Sequence, residues 1–89
     1  MPWHDPIAPD FPLPEGHAFA MDDGTPYTHS GARWRDRKYI RQIQRRVGVN
    51  ADGRYGFHTA AAVERFQRRH GLSPDRQVGP RTWFVMFKG

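Results

Sequence analysis

The sequence predicts an all-α fold, a small three-helix bundle with a pseudo-twofold helix–loop repeat, preceded by an extended Pro-rich arm. Three observations carry this expectation. Six of the eight prolines fall at Pro2, Pro6, Pro9, Pro12, Pro14 and Pro26. Beyond residue 33 the apolar residues recur at three- and four-residue spacing, the signature of one buried helix face. Within that region a 17-residue stretch occurs twice, as IQRRVGVNADGRYGFHT at 43–59 and FQRRHGLSPDRQVGPRT at 66–82.

Each element follows from its residues. Proline fixes φ and removes a backbone donor, so residues 1–32 cannot hold a long helix or a central strand and read as an extended acidic arm. Trp3, Phe11, Leu13 and Phe19 give the arm too much apolar surface for a solubilising tail, so it is expected to pack on its own domain or on a neighbouring chain. Residues 33–89 read as the helical domain. Ile40, Ile43 and Val47 mark a first helix that Gly48 stops, as a glycine after the last turn commonly does. Ala62, Val63 and Phe66 mark a second, with Thr59 expected as its N-cap and Gly71 as its end. Pro80 opens a third, short helix bearing Trp83, Met86 and Phe87.

The repeat aligns at an offset of 23 residues. Gln44, Arg45, Arg46, Gly48, Asp52, Gly56 and Thr59 recur as Gln67, Arg68, Arg69, Gly71, Asp75, Gly79 and Thr82. Buried amides need partners, so both glutamines are expected to bond loop backbone, and Asp52 and Asp75 to close Asx-type turns. Tyr55 has Val78 as its mate, which reads it first as core and only second as a sugar-stacking ring. Trp83 reads as core.

Charge divides the chain. Residues 1–32 hold five Asp and Glu and no Lys or Arg, whereas residues 33–89 hold all 14 Lys and Arg against four acids. The net charge of +5 admits polyanionic partners in general. No cysteine is present, which excludes disulfides and thiolate metal sites. No apolar run approaches the length of about 20 residues that crosses a bilayer, so no membrane partner is expected. The N-terminus lacks a basic start followed by an apolar stretch, which reads as no signal peptide.

The residues Ile43-Gln44, Gly48, Asp52-Gly53-x-Tyr55-Gly56-x-x-Thr59, Ala62-Val63-x-x-Phe66-Gln67, Gly71-Leu72, Asp75 and Val78-Gly79-Pro80-x-Thr82-Trp83 together resemble the peptidoglycan-binding domain family. That family accompanies amidases, lysins and carboxypeptidases and occurs in phage proteins. The resemblance spans residues 38–87 and departs from the family in one place, Asp75-Arg76 replacing the usual Asp-Gly. It implies a non-catalytic module that binds bacterial peptidoglycan, located at the cell wall, outside the cell or in a phage virion. Leu13-Pro14-x-Gly16-His17-x-Phe19 through His29-Ser30-Gly31 also looks like segments preceding this domain in some phage lysins and virion proteins. The excess of Arg over Lys suits a phage of high-GC bacteria.

Candidate ligand residues are the polar side chains around the first loop, Arg45, Asn50, Arg54 and His58, with Tyr55 as the possible stacking ring. Peptide stems carry carboxylates, which an Arg fork suits. No cofactor and no metal is expected: His4, His17, His29, His58 and His70 stand isolated in sequence, without a tight ligand pair. No catalytic residue is assigned, because neither Ser30 nor Ser73 has a nucleophile-elbow glycine frame. Two rival readings remain. The chain could be a virion structural protein, a capsid or tail decoration whose arm grips neighbouring subunits. Alternatively Arg41, Arg45, Arg46, Arg65, Arg68 and Arg69 could bind nucleic acid, which would leave the repeated loop unexplained.

Overall fold

The computed structural model describes residues 11–87. Three helices carry the fold: α1 (Trp34–Val47), α2 (Phe57–Arg69) and α3 (Pro80–Phe87). Ahead of them lie two short strands, β1 (Ala18–Phe19) and β2 (Thr28–His29), paired in parallel with Ala18 opposite Thr28 and Phe19 opposite His29. The architecture is therefore mainly helical, with a two-stranded sheet added to the all-α expectation. Strands of two residues have no periodicity to read, and the prolines around them point towards loop.

Helix α1 buries Ile40 and Ile43 and ends on Gly48, whose left-handed φ of 84° lets its amide donate to the Gln44 carbonyl at 2.9 Å. Helix α2 begins two residues before the expected cap. Gly56 is its N-cap without a side-chain cap bond, and Thr59 lies inside the first turn. The Thr59 hydroxyl is instead buried and accepts from Gln44 Nε2 at 3.0 Å. The N-cap position belongs to Gly56, so Thr59 stands inside the helix, past the cap position. Helix α3 starts on Pro80, where a missing N–H costs nothing.

The helices close on one core formed by Ile40, Ile43, Val63, Phe66, Trp83 and Met86, completed by Tyr55 and Val78 from the loops and by Phe19 from β1. Phe19 is fully buried. Its backbone exchanges both hydrogen bonds with Val78, at 3.0 and 2.8 Å, while the Ala18 and Ala20 amides donate to Tyr27 and His29 across the strand pair. Its ring stacks on Trp83, with centroids 5.9 Å apart and planes at 28°. Phe11 meets both rings edge-on, and Leu13 packs against the same cluster. The arm residues Phe11, Leu13 and Phe19 thus dock on their own chain; Trp3 lies outside the described residues. Further anchors are Tyr55 N–H donating to the Ser30 carbonyl at 2.9 Å and Arg37 Nε donating to the Gly31 carbonyl at 2.7 Å.

Charge attraction between acidic arm and basic helices contributes little to this docking. Among the described residues, Glu15, Asp22 and Asp23 make no ion pair with Lys or Arg; the polar contact between arm and helix is the hydrogen bond of His29 with Asp36 of α1 at 2.8 Å. Exposed pairs add about 0–1 kcal/mol, whereas burial of an aromatic side chain contributes about 1.5–3 kcal/mol. Apolar packing holds the arm.

Candidate functional site

The repeated stretch turns into two matched hydrogen-bond sets. In the first, Gln44 Nε2 donates to Asp52 Oδ1 at 2.9 Å, the Arg54 carbonyl at 2.9 Å and Thr59 Oγ1 at 3.0 Å, while Gln44 Oε1 accepts from the Gly53 amide at 2.9 Å. In the second, Gln67 Nε2 donates to Asp75 Oδ1, the Gln77 carbonyl and Thr82 Oγ1 at 2.9, 2.9 and 3.2 Å, and Gln67 Oε1 accepts from the Arg76 amide at 3.0 Å. Each aspartate also closes the expected Asx turn, accepting from Arg54 N–H at 2.9 Å or Gln77 N–H at 3.0 Å. One amide thereby ties a helix end, a loop and the start of the next helix together. Among the described residues every buried side-chain polar atom has a hydrogen-bond partner, the condition under which such a network holds its loops in place.

The residue after each aspartate has positive φ. Gly53, at 80°, is confined twice over, because a Cβ there would lie 3.0 Å from the Arg37 Cβ. Arg76, at 67°, is the single non-glycine residue with positive φ among those described. Its guanidinium holds Glu64 Oε1 at 2.9 Å and lies over the Phe57 ring, 5.9 Å from the centroid. The departure from Asp-Gly is therefore accommodated without losing the loop.

On this frame the first loop and the start of α2 enclose an open groove of about 390 Å³, lined by Val49, Asn50, Asp52, Arg54, Gly56, Phe57, His58 and Thr59. Three sequence candidates meet there: Asn50, Arg54 and His58, all exposed. Two do not. Arg45 is exposed on the last turn of α1 but does not line the groove. Tyr55 points inward, with 3% of its surface exposed and its hydroxyl donating to the Arg76 carbonyl at 2.8 Å. Burial, and secondarily the charge of Asp75, push its phenol pKa well above the usual value. Its ring has no face to offer a ligand, in line with the apolar mate Val78.

The aromatic of the groove is Phe57, which was not a sequence candidate and is 61% exposed. A signal for it existed in the repeat. Its mate is Pro80, so the fold demands no aromatic at this position. The His58 ring meets Phe57 edge-on, with centroids 6.1 Å apart and planes at 70°. Asp52 is not a proton donor at neutral pH: the Arg54 amide first, then Gln44, hold its carboxyl below the usual range. The groove offers one flat apolar ring, an Arg fork, an amide that both donates and accepts, and an imidazole. This set combines an apolar face with hydrogen-bond donors and acceptors in one open groove.

A second polar chain lies on the arm side. His29 Nδ1 bonds Asp36 Oδ2 at 2.8 Å, and His29 Nε2 bonds His17 Nδ1 at 2.9 Å. Histidines that stand isolated in sequence are thus brought together by the strand pair. Both ring nitrogens of His29 are committed, and among the described residues no group of three His, Cys, Asp or Glu could hold a metal ion. No helix among those residues is long and apolar enough to cross a membrane.

Residues 37–86 match the peptidoglycan binding domain family. The chain is also similar to an uncharacterized protein in the bpoA1 3′ region of Kitasatospora aureofaciens, 51% identical over 37 residues, or 42% of this chain. That stretch is 31% of the relative's own length, so the chain spans well under half of it. No solved structure matches.

Proposed function

Since the chain belongs to the peptidoglycan binding domain family, we propose that it is a non-catalytic wall-binding module whose ligand lies in the groove of Asn50, Arg54, Phe57 and His58. The observation that carries this reading is Phe57, a large ring left exposed beside the polar side chains of Asn50, Arg54 and His58. A pyranose face stacks on such a ring. Arg54 offers two parallel donors to a stem-peptide carboxylate, and Asn50 can pair with a peptide amide. The matched glutamine networks support a pseudo-twofold relation between the two helix–loop units, with the aromatic platform present in the first unit only.

The module works at the bacterial wall, outside the cell, and is of phage origin in this reading. Phe11, Leu13 and Phe19 of the arm pack on the chain's own core, which supports a wall-binding role over shell decoration. Sedimentation with purified sacculi at physiological salt tests the proposal. The chain should bind at least tenfold more tightly than a basic protein of equal charge, and Phe57→Ala should lose most of that margin with its melting temperature unchanged. Equal sedimentation of the control protein, or full binding by Phe57→Ala, overturns it.

A further inference from the structure

Arg45, which the groove leaves out, belongs to a different surface. Trp34, Lys38, Arg41 and Arg45 follow one another at spacings of four, three and four residues, so they form one stripe along α1. The stripe lies on the side of α1 away from Ile40 and Ile43, which face the core. At a rise of about 1.5 Å per residue, it is roughly 16 Å long. Trp34 is 79% exposed, the most exposed large apolar residue among those described. Lys38 and Arg45 are exposed and Arg41 half-buried.

Nothing in the fold relieves the charge of this stripe. The one acid of α1 is Asp36, which is buried against His29. Among the described residues none of the three cations has a carboxylate within ion-pair distance, and Lys38 lies only over the neighbouring Tyr39 ring, 5.0 Å from its centroid. Of the other α1 arginines, Arg37 and Arg46 donate to backbone carbonyls at 2.7 and 2.9 Å, while Arg35 is exposed like the stripe. Like charges three and four residues apart weaken a helix, and an exposed Trp gains nothing from folding. A row of unpaired cations headed by a bare indole therefore lacks a structural reason.

We propose that this stripe is a second binding surface, for a linear phosphodiester-linked sugar polymer of the bacterial wall. The inference rests on the wall-binding reading for its choice of polyanion. Lys38, Arg41 and Arg45 take successive phosphates, and Trp34 stacks on a sugar unit at one end. A lipid surface is a poorer occupant, because the apolar face of α1 is spent in the core and a single Trp remains to insert. Lys and Arg also bond guanine edges in a duplex groove, so duplex DNA is the competitor that the test includes. The attraction acts over about 8 Å at physiological salt, so it also draws the groove towards the wall.

The test measures binding to two wall preparations, sacculi that retain the phosphodiester polymer and the same sacculi stripped of it by acid. The wild-type chain should bind the polymer-bearing wall about tenfold more tightly. Lys38→Gln/Arg41→Gln/Arg45→Gln, and separately Trp34→Ala, should lose that increment while binding the stripped wall unchanged and melting as the wild type does. Equal wild-type binding to both walls overturns the inference, as does an unaltered increment in both variants, or duplex DNA that competes as well as the polymer at equal phosphate. Binding to the polymer-bearing wall alone would sustain the stripe and overturn the groove; binding to neither would overturn both.

Discussion

Replacing Gln44 by Glu changes one atom type and almost no volume, which makes it the sharpest perturbation of the loop. The Gln44 nitrogen spreads two hydrogens over three acceptors, the Asp52 carboxylate, the Arg54 carbonyl and Thr59 Oγ1. A glutamate oxygen there faces a carboxylate and a carbonyl with nothing to donate, and only the Thr59 hydroxyl can turn to meet it. A bond to a charged group contributes about 1.5–3 kcal/mol, and an unpaired buried group costs about 1–3 kcal/mol. Gln44→Glu should therefore destabilise the fold by about 3–5 kcal/mol. For a domain of this size that is a drop of well over 10 °C in melting temperature, at about 4–8 °C per kcal/mol. Because Gln67 repeats the geometry, Gln67→Glu should cost a similar amount. Urea denaturation at pH 7, followed by helical circular dichroism, measures both. A loss below about 1 kcal/mol for Gln44→Glu, against the cost of an unpaired buried group, would refute the idea that these amides hold the loops.

Three further outcomes follow from other parts of the fold. Deleting residues 1–32 removes the fully buried Phe19, and losing a core aromatic costs about 3–5 kcal/mol; the truncated chain should melt far lower, and an unchanged melt would show that the arm is only a linker. Arg76→Gly relieves a left-handed residue, a strain of about 1–2 kcal/mol, at the loss of an exposed pair with Glu64 of about 0.2–1 kcal/mol. It should leave stability unchanged or slightly raised, and a clear loss in a urea melt would contradict that. The Asp52 carboxyl is held below its ordinary value, so its stabilisation is present above about pH 4 and lost as pH falls through the folded value. Asp52→Asn should flatten this acid-side decline in the melting temperature; an equally steep decline would exclude Asp52 as a source.

The repeat was the most legible feature, because identical residues at a fixed offset demand identical bonds. Gln44, Asp52 and Thr59 are read from sequence as a set and recur as a set in space. Thr59 is ambiguous in sequence, because a threonine ahead of an apolar run fits an N-cap equally well, and only the position of Gln44 decides between the two roles. The strand pair has no local pattern, since strands of two residues show no periodicity, and the further bridge from Phe19 reaches Val78, nearly 60 residues away. The site was half legible. Asn50, Arg54 and His58 are exposed by loop chemistry that sequence shows, whereas an aromatic residue such as Phe57 is buried more often than exposed and carries no local sign of its exposure. Its mate Pro80 was the evidence to the contrary.

The central claim is that the wall ligand sits against Phe57 in the first helix–loop unit. Titrating the 15N-labelled chain with a soluble disaccharide–peptide wall fragment, and following backbone amide shifts, tests it most directly. Saturable shifts should concentrate at residues 49–59, with residues 72–82 of the second unit nearly still. Shifts centred on the second unit, or no saturable shift at millimolar fragment, would contradict the account.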